Sequence, residues 1–264
     1  MSRPRPPTGR RLRGAWRLTR AALHVAHGMA VMALHFPRLQ AVERQARIRW
    51  FSATLLHRLG MVLTVHGRAV EGPCLLVANH VSWLDIAALH AAVPQARFVS
   101  KADIRHWPLV GWLVAGAGTL FVERASKRDA LRVIHQMAEA LRAGDTVAVF
   151  PEGTTGPGPE LLPFHANLLQ AAVATGMPVQ PAVLRFHDPE HAFSPAAEFV
   201  GATTLWQSVW ALATADRLAV AVHLLEPEPV AEAPTDRRAL AARLSQRIDA
   251  VLLRSRSFGA SDAT

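Results

Sequence analysis

Cysteine occurs once in the 264 residues, at Cys74. A single thiol excludes an internal disulfide framework and a thiolate metal cluster, and it fits a reducing compartment. The thirteen histidines are scattered, without ligand-like spacing, so the sequence implies no metal. Signatures of several large enzyme classes are missing too. There is no G-x-x-x-x-G-K-[ST] loop, no G-x-G-x-x-G after a strand, no His-Glu-x-x-His and no G-x-S-x-G elbow. Nucleotide, zinc and serine-hydrolase chemistry fall away with them. Repeats and low-complexity blocks are absent. Half of the residues are hydrophobic and 19% are charged, which suits one large domain with an appendage.

Acids are nearly missing from the first 58 residues. Twelve Lys and Arg stand there against Glu43 alone, a balance of +11, while residues 59–264 carry −2. Such a segment attracts nucleic acid or an anionic membrane. Its arginines, Arg3 to Arg20, lead into the apolar stretch Ala21–Phe36, an order that favours membrane over nucleic acid. Sixteen residues make a helix of about 24 Å against a hydrocarbon core of roughly 30 Å. His24, His27 and His35 also interrupt the stretch, and no clean small-x-small cleavage site follows it. The expectation is an interfacial or re-entrant helix. Ala41–Met61, with Arg44, Arg47, Arg49 and Arg58 beside Trp50, Phe51 and leucines, reads equally as a helix on a bilayer or one packed on the domain.

Beyond Gly60, short β-branched runs alternate with helical patterns. Strands are expected at Val62–His66, Cys74–Ala78, Arg97–Lys101, Thr119–Glu123, Thr146–Phe150, Val179–Phe186 and Leu218–Leu225. Helices are expected at Trp83–Ala92, Pro108–Ala115, Lys127–Arg142, Phe164–Thr175, Thr203–Ala213 and Asp236–Leu253, with the last ten residues a frayed tail. Pro181 points to an edge or bulge in its strand. The fold class is α/β, a mostly buried mixed sheet of about seven strands flanked by helices and preceded by N-terminal membrane-associated helices. The expected organisation is a basic, apolar membrane-associating segment at 1–58, an α/β domain at 59–227, and a C-terminal helix and tail at 228–264.

The chemistry concentrates in Asn79-His80-Val81-Ser82-Trp83-Leu84-Asp85. His80 lies on a strand-to-helix turn and Asp85 in the first helical turn. That spacing lets a carboxylate hold an imidazole in one tautomer, the layout of a general base and its orienter. Ser82-x-x-Asp85 is equally a capping box with Ser82 as N-cap. Glu152, after the strand ending at Phe150, is placed to bind an acceptor or support the histidine. Arg124, at another strand end, can fork onto a phosphate or carboxylate.

Taken in order, these segments resemble the glycerolipid acyltransferase family typified by bacterial PlsC-like 1-acyl-sn-glycerol-3-phosphate acyltransferases. Asn79-His80 with Asp85 matches its N-H-x4-D signature, and Phe121-Val122-Glu123-Arg124 its arginine-bearing second motif. Phe150-Pro151-Glu152-Gly153-Thr154 matches F-P-E-G-T, and Val179–Ala182 resembles its fourth motif, V-P-x-x-P. The resemblance implies His80 as general base and Asp85 as its orienter, with Arg124, Glu152, Gly153 and Thr154 on the substrate. Backbone donors near Gly153 would steady an oxyanion. It also implies an acyl-CoA or acyl-carrier-protein donor, no cofactor or metal, no nucleic-acid partner, and a place among membrane lipids on the cytoplasmic face of the inner membrane. The expected acceptor is 1-acyl-sn-glycerol-3-phosphate, giving phosphatidic acid.

Two departures bear on that acceptor. The third motif commonly continues into an arginine that grips phosphate; here Thr155 stands there. A lysine usual after L-x-P-F is replaced by His165. Lys101 and Arg124 are the cations left to compensate. The F-P-E-G-T-T version also resembles acyltransferases that complete ornithine lipids, so lyso-ornithine lipid is the alternative acceptor. A non-catalytic lipid-binding protein of the same fold is the second alternative.

Overall fold

The computed structural model describes residues 8–102, 110–122, 127–230 and 236–261. Two long helices come first, α1 (Thr8–Leu34) and α2 (Ala41–Arg58). A single 3-10 turn, Phe36–Arg38, separates them. Pro37 stops the first helix, and the Gln40 N–H donates to Glu43 Oε2 at 2.7 Å to start the second. The apolar stretch expected at Ala21–Phe36 is thus the second half of a longer helix. Among the described residues no helix is long and apolar enough to cross a membrane.

Seven strands form one mixed sheet: β1 (Val62–His66), β2 (Cys74–Ala78), β3 (Ala96–Lys101), β4 (Leu120–Val122), β5 (Thr146–Val149), β6 (Val179–His187) and β7 (Ala219–Leu224). Their order is β1-β7-β6-β2-β5-β3-β4, parallel throughout except where β6 meets β7. Between and after them run α3 (Asp85–Ala92), α4 (Val110–Gly116), α5 (Lys127–Arg142), α6 (Gln170–Thr175), α7 (Leu205–Thr214) and α8 (Arg237–Ser261). Every residue of β2 is buried, because helices cover both faces. On one face Leu76, Leu184, Val220 and Val222 pack with Leu56 of α2, Leu84, Leu89 of α3 and Leu212 of α7. On the other, Leu75, Val77, Val147 and Val183 pack with Met137 and Leu141 of α5 and Leu240, Leu244, Ile248 and Leu252 of α8.

The structure decides one open expectation and corrects two. Pro181 does not mark an edge, since β6 lies between β7 and β2. The β7 ladder begins one residue on, at Ala182↔Leu224, and the next pair is Val179↔Glu228. One extra residue on the β7 side makes a bulge at the proline, where its missing N–H costs nothing. The tail is not frayed up to Ser261: α8 continues, with Ser255 Oγ donating to Val251 O at 3.1 Å and Arg256 3.5 Å from Asp249. Third, the pattern over Phe164–Thr175 is a 3-10 turn, Ala166–Leu169, leading into the short α6.

The N-terminal helices are packed on one side and open on the other. Gly14 lets α1 approach α7 so closely that a Cβ there would lie 2.6 Å from Thr214 Cγ2. Arg17 donates to Ala213 O and Ala215 O at 3.0 and 2.8 Å. His24 is buried against α2, stacked on Phe51 and 2.9 Å from its carbonyl oxygen. Leu12, Trp16, Leu23 and Leu34 of the same helix are more than 60% exposed.

Candidate active site

The C-terminal ends of β2, β5, β3 and β6 lie along one edge of the sheet, the edge where open α/β sheets place ligands. Asn79 follows β2 and completes its ladder with a side chain. Its Nδ2 donates to Leu184 O at 2.9 Å, and its Oδ1 accepts from Leu184 N at 2.8 Å. That pin fixes where the chain turns, and His80 is the next residue.

The His80 ring is held from three directions. Its Nδ1 lies 2.7 Å from Asp85 Oδ2. Its face stacks on Phe150, ring centres 4.1 Å apart and 13° from parallel. Its backbone N–H donates to Glu152 Oε1 at 2.7 Å, and its carbonyl accepts from Gly156 N at 2.8 Å. The Asp85 carboxylate demands the Nδ1–H tautomer, leaving the Nε2 lone pair as the ring's free base. The ring side chain is 19% exposed, whereas that of Asp85 is fully buried.

Asp85 is held by several donors at once. The same Oδ2 accepts from Val81 N at 2.7 Å and Ser82 N at 2.9 Å, and the residue opens α3, where the helix dipole favours an anion. Ser82 is not the N-cap by its side chain. Leu84 occupies that position, and the Ser82 hydroxyl is buried without a hydrogen-bond partner among the described residues. Half of the expected capping box is real: the carboxylate reaches back to the Ser82 N–H, and it serves the histidine with the same oxygen.

Glu152 is 4% exposed and turned inward. Besides His80 N, it accepts from Leu162 N at 2.8 Å through Oε2. Burial raises its pKa, opposed by the hydrogen bonds from Leu162 and His80. Both oxygens therefore hold loops, and the geometry matches support of the histidine and not contact with an acceptor. Gly153 adopts φ +73°, a left-handed turn, and its N–H donates to Phe150 O at 3.1 Å. It is not itself a donor left over for an oxyanion. Thr154 is exposed beside it. The Thr155 hydroxyl donates to Phe199 O, tying the turn to a later loop.

Two expected residues contribute no geometry. Arg124 lies outside the described residues, and of Lys101 only the backbone at the end of β3 is described. Among the described residues no group of His, Cys, Asp and Glu could hold a metal. Sequence reasoning had assigned Phe150 and Asn79 to motifs without a task; stacking and ladder completion are theirs.

Comparisons with known proteins agree with this geometry. Residues 62–185 match the model of the Acyltransferase family. The chain is 39% identical over 205 residues to a lyso-ornithine lipid O-acyltransferase of Pseudomonas aeruginosa, covering 78% of each. It is 36% identical to a 1-acyl-sn-glycerol-3-phosphate acyltransferase of Neisseria meningitidis, over 75% of this chain and 77% of that one. The fold is shared with the crystal structure of the 1-acyl-sn-glycerophosphate acyltransferase PlsC of Thermotoga maritima, at TM-score 0.69 and 20% identity over 92% and 94% of the two chains. With more than three-quarters of each sequence relative aligned above 30% identity and the dyad at the sheet edge, this chain belongs to the acyltransferase family.

Proposed function

We propose that this enzyme esterifies the free hydroxyl of a lysolipid with a fatty acyl group taken from acyl-CoA or acyl-carrier protein. The observation that carries the reading is the 2.7 Å contact between His80 Nδ1 and a buried Asp85, which leaves Nε2 facing outward as a base. Nε2 takes the proton of the acceptor hydroxyl as its oxygen attacks the thioester carbonyl carbon. The imidazolium is stabilised by Asp85 across the ring. The N–H groups of Thr154 and Thr155, on the turn beside the histidine and without a partner among the described residues, are the candidates for the developing oxyanion. When the C–S bond breaks, the imidazolium returns its proton to the departing thiolate. Ester and thiol result, with no acyl-enzyme, no cofactor and no metal in the scheme.

Two acceptors suit that chemistry. 1-acyl-sn-glycerol-3-phosphate, giving phosphatidic acid, follows from the four motifs. Lyso-ornithine lipid is favoured by a specific observation: Thr155 stands where a phosphate-gripping arginine is usual, and its hydroxyl is engaged by Phe199 O. Arg124 and Lys101 remain the proposed cations at the strand ends. The test is an acceptor screen of the purified chain with both donors. If His80→Ala were as active as wild type, the dyad would be refuted; no acyl transfer by wild type to either acceptor would leave a lipid-binding protein of the same fold.

The reaction belongs at a membrane surface. Leu12, Trp16, Leu23 and Leu34 fall within about 40° of one another around α1 at 100° per residue, flanked by Arg11 and Arg20. Such a stripe lies in the interface between headgroups and acyl chains. A donor made in the cytoplasm places it on the cytoplasmic face of the inner membrane.

A further inference from the structure

An open cleft of about 200 Å³ lies beside the site and has no task in the reaction above. Its walls are the first turn of α1, the loop after β6 and the turn before β7, with Arg10, Asp188, Glu190, Ser194, Asp216 and Arg217 among the lining. It opens on the same edge of the sheet as His80, since β6 ends there. The β6 loop connects the two places. Ser194 N donates to Phe186 O at 2.8 Å and Phe199 N to Val81 O at 3.2 Å, and Phe193 and Val81 flank the same glycine, Gly158. Val81 directly follows His80.

The charges in the cleft are of both signs. Asp188 is engaged in its own loop, accepting from Glu190 N, His191 N and His191 Nδ1, each at 2.9 Å. Asp216 pairs with Arg13 at 3.1 Å. Arg10, Arg217 and Glu190 have no ion pair among the described residues. Arg217 is also the sole non-glycine residue among the described ones with positive φ, at 46°.

From this we infer that the cleft is the headgroup site for a zwitterionic lysolipid, one carrying a carboxylate and a primary ammonium a few carbons apart. The inference rests on the lysolipid acyltransferase reading and deepens it. Arg10 and Arg217 fork onto the carboxylate, while Glu190, with Asp188 and Asp216 behind it, receives the ammonium. An N-acylated ornithine has those two groups. A phosphate monoester carries only negative charge, and three carboxylates in the lining repel it. Arg10 brings the first turn of α1 to the cleft, on the side of the helix that carries Gly14 and Arg17.

The test measures kcat and KM of the full chain for lyso-ornithine lipid and for 1-acyl-sn-glycerol-3-phosphate, in wild type, Arg217→Gly and Glu190→Lys. Glycine keeps the left-handed backbone, so thermal stability is expected to hold or rise. The expected result is a preference of wild type for lyso-ornithine lipid and a tenfold or greater rise of its KM in both variants. Glu190→Lys additionally shifts the kcat/KM ratio at least tenfold towards the phosphate acceptor. An unchanged ratio in both variants, or a wild-type preference for the phosphate acceptor, overturns the cleft assignment. If wild type acylates neither lipid, the enzymatic reading fails instead, and the cleft is judged by titrating Nα-acetylornithine into the same three proteins. Saturable binding weakened tenfold by both substitutions supports it; absence of binding to wild type overturns it.

Discussion

At the residue scale the site is a histidine made rigid, and its rigidity comes from atoms that never meet substrate. Removing the base leaves the fold intact but takes away proton transfer. His80→Ala is expected to lower kcat by about 10²–10⁴-fold with little change in thermal midpoint, read from acyl-transfer rates and unfolding curves. Asp85→Asn exchanges an acceptor for a group that must also satisfy three donors, so it is expected to cost both rate and stability. Glu152 gives a different signature. Glu152→Ala releases two hydrogen bonds to a buried carboxylate, each worth on the order of 1.5–3 kcal/mol. With a domain of this size shifting roughly 2–4 °C per kcal/mol, a fall near 10 °C is expected, alongside reduced kcat. A variant that lost activity at full stability would contradict the inward role. The dyad was legible because five residues across a strand-to-helix turn bring two side chains together locally. The task of Glu152 stayed open between acceptor and histidine, because its partner His80 is 72 residues away and donates through a backbone N–H, which leaves no mark on side-chain patterns.

Elements were more legible than residues. All seven strands and most of the helices were readable because a sheet covered on both faces demands continuous β-branched runs, and α5 carries a 3.6-residue apolar period. What stayed hidden was irregular: the loop from Asp188 to Phe199 has no periodicity, yet it carries the bonds to Val81 and Thr155. The bulge at Pro181 was visible as a break but not as an interior one, since strand order is a tertiary property. For Ala41–Met61 the sequence left packing and membrane open, and the structure buries Ser52 and Leu56 of α2; α1 packs one face on α2 and α7 and leaves Leu12, Trp16, Leu23 and Leu34 exposed. Leu12→Ser with Trp16→Ser removes two exposed apolar side chains worth about 2 kcal/mol each on full burial. Binding to anionic vesicles is expected to fall tens-fold or more in sedimentation, with the unfolding midpoint unchanged. Retained vesicle binding would place the membrane contact elsewhere.

Across the described residues four histidines resist protonation; at the end of β6, His187 is lowered by burial and then by Arg185 against Asp188. His90, at the end of α3, is 6% exposed, and burial lowers its pKa to about 4 while Ala96 O, 3.1 Å from its Nε2, opposes the shift. His24, between α1 and α2, is lowered by burial and then by Arg58 and His27 against the Phe51 carbonyl. On β7, His223 is lowered to about 4 by burial, by His66 stacked 4.5 Å away, and by Arg185 and Arg254. Each is a base whose folded pKa lies below its unfolded value near 6.5, so the unfolded chain binds more protons as pH falls. Their contribution is complete above about pH 6.5 and is lost as pH drops towards 4. For buried His90 the shift corresponds to a loss on the order of 3 kcal/mol; half-exposed His223 contributes less because solvent screens it. Denaturant midpoints are therefore expected to be level between pH 7 and 8 and to fall steadily below 6.5. Carboxylates titrate in part of the same range, so the comparison that isolates His90 is its leucine variant. His90→Leu forfeits the bond to Ala96 O and starts less stable at pH 7, yet its midpoint should decline less steeply to pH 4.5. Parallel slopes for the two proteins would mean that the acid sensitivity of this fold resides outside α3.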